Sequence, residues 1–275
     1  MRKRKTAPAI IPILIAVFLS GCLKIEPTYT KEKIVDSVIS LCLTEYNIEP
    51  KVWLLEDTLW IYIPVSSLIT SNLQLDQETF IAINKVMLGA SRVVLSMKPR
   101  PQFIVVVASD TQQYGLDYMI TTWIPDIVKY QLQLISRDEF GRRNLIEISE
   151  DAKALGDEEG RHLEKKDINF WEFLSLQISQ RIRFKFTLDP KYQDYFKLGE
   201  INSEISGNTF RIKAYIEKIK ALPDDKINVQ KEIAKIVFEV IKAYEIKDYL
   251  LIDIENTATG KKALFTKSEL VKLLR

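Results

Sequence analysis

Apolar positions recur along this chain with two alternating periods. Ile34, Val35, Val38, Ile39, Cys42 and Tyr46 fall at helical spacing, with Thr30 placed to cap the start and Asn47 and Pro50 to end the helix. Residues 52–55 and 58–63 are rich in β-branched and aromatic side chains, and Glu56-Asp57 between them predicts a tight hairpin closed by Pro64. Phe80, Ile83, Met87, Ala90, Ser91 and Val94 then form one helical stripe, capped by Asp76 and stopped by Pro99 and Pro101. Residues 103–108 are continuously apolar, as a central strand buried on both faces is. A turn over 110–115 leads to a strand over 118–123, resumed over 129–135 after Pro125. Ser136 and Glu139 have the spacing of a capping box for a short helix.

From 150 to 166 the chain turns polar, with Gly156, Gly160 and the run Asp157-Glu158-Glu159, and reads as a linker open to protease. The alternation then restarts: a helix over 168–178, an alternating apolar and basic strand over 182–186, a strand over 209–216 after Gly207-Asn208, and a helix carrying Val229, Ile233, Ile236, Val237, Val240 and Tyr244. Strands over 249–254 and 263–265 follow, and Thr266 with Glu269 caps a last helix. Both halves read helix, strand, strand, helix, strand, strand, helix. Local echoes support an internal duplication: Glu56-Asp57-Thr58 against Gly207-Asn208-Thr209, and Ser136 to Phe140 against Thr266 to Leu270. The fold expected is α+β, two small antiparallel sheets each packed with helices. The expected divisions are 1–21, 22–30 as a tether, a first domain over 31–150, the linker 151–166, and a second domain over 167–275.

Composition fits a folded chain, with 47% apolar and 28% charged residues among 275. The formal charge of +2 owes its sign to Arg2, Lys3, Arg4 and Lys5; without them 35 basic residues face 37 acidic ones. That balance gives no reason to expect nucleic acid, which usually needs a clustered basic face.

Those four basic residues precede an uncharged stretch from Ala7 to Leu19. Such a stretch, as a helix, rises about 20 Å, short of the roughly 30 Å of a bilayer core, so it reads as a signal peptide and not a permanent span. Leu19-Ser20-Gly21-Cys22 follows. This resembles the lipobox of bacterial lipoproteins. The resemblance implies cleavage between Gly21 and Cys22, a diacylglyceryl group on the Cys22 thiol, and stable attachment to the extracytoplasmic side of a membrane. With Leu23 in second place, it implies the outer membrane, facing the periplasm, where the envelope has two membranes. It implies nothing about the mature fold.

Candidate chemistry in the mature chain is sparse. His162, the single histidine, reads as a solvated loop residue rather than a catalytic base. One histidine and one remaining thiol provide no His and Cys cluster for zinc, and no cofactor is predicted. Cys42 reads as core. Asp110 and Asp117 read as turn residues, with acid-base work as the alternative. Trp53, Trp60, Tyr62 and Trp123 read as core or cross-strand pairs, with a stacking surface as the alternative. Arg181, Arg183 and Lys185 read as a solvated strand face, with an acidic partner or lipid headgroups as the alternative. No catalytic residue is assigned. The leading functional expectation is a binding or scaffolding lipoprotein whose partners are the membrane, through Cys22, and another envelope protein. A hydrolase acting through carboxylates such as Asp110 and Asp117, and a carrier of an apolar ligand, are the alternatives.

Overall fold

The computed structural model describes residues 29–221 and 227–273. The signal region, the cleavage position at Gly21 and Cys22, and nearly all of the tether lie outside the described residues. No helix among the described residues is long and apolar enough to cross a membrane.

A 3-10 turn, Lys31–Lys33, leads into α1 (Ile34–Tyr46), with no capping bond from the Thr30 side chain. Asn47 ends α1 in the left-handed conformation and returns its amide to the Leu43 carbonyl at 3.1 Å. β1 (Lys51–Leu55) and β2 (Thr58–Val65) form the expected hairpin. α2 (Gln77–Leu95) starts at Asp76, whose carboxylate accepts the Thr79 amide at 3.0 Å. β3 (Phe103–Asp110), β4 (Leu116–Trp123), α3 (Ile124–Gln131), α4 (Arg137–Arg143) and β5 (Leu145–Glu150) complete the first unit. Its sheet runs β1-β2-β3-β4-β5.

The second unit comprises α5 (Phe170–Thr187), β6 (Phe196–Ser206), β7 (Thr209–Lys218), α6 (Val229–Ala243), β8 (Leu251–Asn256), β9 (Lys261–Thr266) and α7 (Lys267–Leu273). Its sheet runs β6-β7-β8-β9.

Neither sheet is purely antiparallel, contrary to the sequence expectation. β2 and β3 pair in parallel, as do β7 and β8, while the flanking pairs are antiparallel. The cause is the helix between the two central strands, which carries the chain back to the end it started from. The two units also share a detail of their turns. Glu56 and Gly207 both take positive φ. The carbonyl of the next residue then anchors the parallel strand: Asp57 accepts from the amides of Gln102 and Phe103, and Asn208 from those of Leu250 and Leu251. The second echo is not equivalent in the fold. Ser136 caps α4, a helix after α3, whereas Thr266 ends β9 itself.

Two local expectations are corrected. Residues 182–186 belong to α5, not to a strand. Leu174, Ile178, Ile182 and Phe186, all fully buried, step by four residues, and that helical ladder outweighs the local alternation of Arg and apolar residues. Likewise 129–131 are helical; Pro125 sits in the first turn of α3, where its missing N–H costs nothing.

All eight residues of β3 are buried. One face of its sheet packs on α1 and α2 through Ile61, Ile63, Ile104 and Val106; Cys42 lies in this core, and burial pushes its thiol up to about 11. The other face presents Trp60, Tyr62, Val105 and Val107, which lie under Leu163 and Ile168. The second sheet differs. Phe210, Ile212, Ala214 and Ile216 of β7 face helices α5 and α6, while Arg211, Lys213 and Glu217 alternate with them and stay exposed.

The units are joined by packing. Phe103 and Leu145 of the first lie within the core of the second. Phe103 meets Phe173 at 5.2 Å between ring centroids, and Trp123 meets Phe170 at 4.8 Å and Tyr244 at 5.5 Å. With the joint inside a core, the two units should melt in one transition. Phe173→Ala should lower stability by about 3–5 kcal/mol in a denaturant titration. Two transitions in the parent chain, with only the second moved by the variant, would show that the joint is not part of the core.

Candidate functional site

The strongest polar constellation lies on the outer face of the first sheet. β3 and β4 place Ser109 opposite Asp117 in antiparallel register. The Ser109 hydroxyl donates to Asp117 Oδ1. His162 brings Nε2 to 3.1 Å from that same oxygen and Nδ1 to 2.7 Å from Asp157 Oδ2. Asp157 also accepts the backbone amides of Glu159 at 3.0 Å and His162 at 2.8 Å. The Tyr62 hydroxyl donates to the Asp157 carbonyl. Gly160 crosses the Tyr62 ring with φ +64°, so close that a Cβ there would lie 2.9 Å from a ring carbon.

The His162 side chain is 2% exposed, so its reading as a solvated loop residue is overturned. The segment from 157 to 168 is a cover over an apolar sheet face. Its far end is pinned as well: Asp167 accepts from the Asp57 amide at 3.1 Å and the Thr58 hydroxyl at 2.8 Å. The Trp60 indole donates to the Lys166 carbonyl at 2.8 Å, and the Lys165 ammonium sits 4.4 Å from the Trp53 ring centre. Trp53, Trp60 and Tyr62 are therefore roofed and form no open stacking surface. Trp123 faces the joint.

Chemically this constellation locks rather than reacts. A nucleophile needs a base that takes its proton and room for a substrate. Here the serine donates to a carboxylate, both ring nitrogens face carboxylates, and Ser109 is fully buried. Burial opposes the charge of Asp157, but its hydrogen bonds from His162 and two amides outweigh that and hold its carboxyl down at about 2. Burial also raises the Tyr62 hydroxyl above its ordinary value.

Of the other candidates, Asp110 does what its turn position predicts: Oδ1 accepts the amides of Gln112 and Gln113 at 3.1 and 2.7 Å. Asp117 joins the lock, so the two carboxylates do not line a shared open cleft. Arg181, Arg183 and Lys185 sit on a helix, not a strand face, and Lys185 pairs with Asp189 at 2.9 Å. Among the described residues no group of three or more His, Cys, Asp or Glu side chains is arranged to hold a metal ion. Cys22 and Gly21 lie outside the described residues.

A second polar cluster sits at the joint. Arg143, almost wholly buried, binds Asp126 at 2.9 Å and Glu139 at 2.8 Å, and its guanidinium stands 5.2 Å from the Tyr244 ring centre. Gln177 donates to the Arg143 carbonyl and, at 2.9 Å, to the Tyr244 hydroxyl. Gln180 donates to the Asn144 carbonyl at 3.0 Å and accepts the Ile146 amide at 2.8 Å. Sequence periodicity gave no sign of this cluster, since its members come from five elements. An open groove of about 740 Å³ lies beside it, lined in part by Arg142, Arg181 and Lys242.

The chain matches no protein-family model and no curated protein. Its chemistry therefore rests on its own residues.

Two outcomes follow for the cover. His162→Ala leaves Asp117 and Asp157 buried without their shared partner, a change expected to cost about 3 kcal/mol. Trypsin should cut the variant at Arg161, Lys165 and Lys166 under conditions that spare the parent; equal cutting rates would show that His162 does not hold the cover. The second concerns pH. A carboxyl held at about 2 stabilises the fold fully above its unfolded value, about 4, and loses that stabilisation as pH falls toward 2. Fluorescence of Trp53 and Trp60 should report opening in that acid range, and Asp157→Asn should lose the transition. A transition unmoved in the variant would assign it to other carboxylates.

Proposed function

We propose that this chain is a lipid-anchored envelope protein that binds and positions a partner protein near the membrane. The address comes from the basic start, the short apolar stretch and the lipobox ending in Cys22. The observation that carries the binding reading is how the buried polar residues are used. His162, Asp157 and Asp117 fasten the cover, and Arg143, Asp126 and Gln177 fasten the joint. Both clusters hold parts of the chain together, giving a firm two-unit body whose binding surfaces are its open groove and its exposed faces.

The shared strand order, the positive φ at Glu56 and Gly207, and the matching bonds to the Asp57 and Asn208 carbonyls support an origin of the two units by internal duplication. Divergence then acted on their outer faces, apolar and covered in one, charged and bare in the other.

Cys22→Ser tests the address. Cells fed a fatty-acid analogue should label the parent chain in the membrane fraction and leave the variant unlabelled and uncleaved or released. Cross-linking in intact cells should give a discrete heavier protein adduct with the lipidated chain. A labelled, membrane-bound serine variant would contradict the anchor. Absence of any adduct from the lipidated chain would contradict the binding reading.

A further inference from the structure

Two adjoining cavities, of about 740 and 600 Å³, run along the joint between the units. Arg142, Arg181 and Glu239 line both, so the two form one groove. Its apolar surface includes Leu134, Ile146 and Phe184, at 69%, 36% and 42% exposure, more than buried contacts within the fold would leave. Its cations are not all neutralised. Glu139 is saturated, holding Arg143 at 2.8 Å and Arg142 at 3.0 Å. Glu245 stands 3.7 Å from Lys129. Arg181 makes one hydrogen bond, from Nη2 to the Arg142 carbonyl at 3.3 Å, and among the described residues it has no ion pair. Its Nε is buried without an acceptor. Glu239, exposed on the same wall, also forms no ion pair among the described residues. Glu139 and Glu239 act on Arg181 only from beyond ion-pair distance, so its half-buried guanidinium is weakly compensated, and a ligand carboxylate in direct contact would offset that cost.

We propose that this groove takes an extended acidic and apolar segment of a partner protein, seating a carboxylate on Arg181 and Arg142 and apolar side chains on Leu134, Ile146 and Phe184. The proposal rests on the binding reading above and names the partner's chemistry. An extended segment fits because the groove is long and reaches Ile146 on β5, the edge strand of its sheet; Gln180 already holds the Ile146 amide and the Asn144 carbonyl, so side-chain contacts along the groove carry the recognition. A flat lipid surface fits less well, because Arg181 is recessed in a concave wall. Glu239 competes for the same guanidinium and sets the direction of one test.

The test uses the full lipidated chain in non-ionic detergent and a short fluorescent peptide of alternating Glu and Leu, read by anisotropy. A Lys and Leu peptide and a Glu and Ser peptide are the controls. The Glu and Leu peptide should bind best, and Arg181→Gln should weaken it roughly tenfold. Arg142→Gln, at an exposed position where folding is not at stake, should weaken it about two- to fivefold, and Glu239→Gln should tighten it by a similar factor. Unchanged affinity in both arginine variants would overturn the proposal, as would equal binding of the Lys and Leu peptide. Displacement of the peptide by anionic but not zwitterionic phospholipid would overturn it too, assigning the groove to headgroups. If no peptide binds while the Cys22-dependent adduct persists in cells, the groove is wrong and the binding reading stands.

Discussion

A central strand with both faces apolar requires two covers. β3 has all eight residues buried, and the helices α1 and α2 supply only one of those covers. The second comes from residues 157–168, which carry few apolar side chains of their own beyond Leu163 and Ile168. Hydrophobic burial alone would hold such a segment weakly. Directional bonds make up the difference: His162 between two carboxylates at one end, Asp167 on the hairpin turn at the other. The polar composition of the segment and its buried position are thus not in conflict. Its charges are the fastenings.

The second unit repeats the order of the first unit's first four strands and needs no such cover, because β7 alternates Phe210, Ile212, Ala214 and Ile216 with exposed Arg211, Lys213 and Glu217. Its helix face instead receives Phe103 and Leu145 from the first unit. This shared core makes one body of two units and leaves a groove along the joint. Around that groove, buried Arg143 is satisfied by Asp126 and Glu139, while Arg181 is not satisfied by anything comparable. The contrast between those two arginines separates a residue that fastens the fold from the one on which the proposed recognition rests.

Much of the architecture was legible from local pattern. The hairpin at Glu56-Asp57, the caps at Asp76 and Ser136, and the buried run at 103–108 all depend on residues a few positions apart. The parallel pairing was missed because strand direction is decided by what lies between strands, here α2 and α6. Residues 182–186 misled because Arg-Ile-Arg-Phe-Lys-Phe alternates locally, while the ladder that decides, Leu174 to Phe186, is longer than the stretch read. The lock was invisible for another reason. His162 meets Asp117 across 45 positions, and only the five-residue step from Asp157 to His162 was local enough to notice. The joint's Arg143, Asp126, Gln177 and Tyr244 are likewise scattered, with no motif to gather them.

The polar stretch from 157 to 168 is held as structure by its charged side chains. Hydrogen exchange at neutral pH tests it most directly. The amides of Gly156, Glu159, His162 and Ile168 bond to the Thr111 carbonyl, the Asp157 carboxylate (twice) and the Thr58 hydroxyl. They should exchange orders of magnitude more slowly than a free peptide, approaching the rates of β3 and β4. Exchange across 156–168 at free-peptide rates, with β3 still protected, would contradict the account and return the segment to a solvated linker.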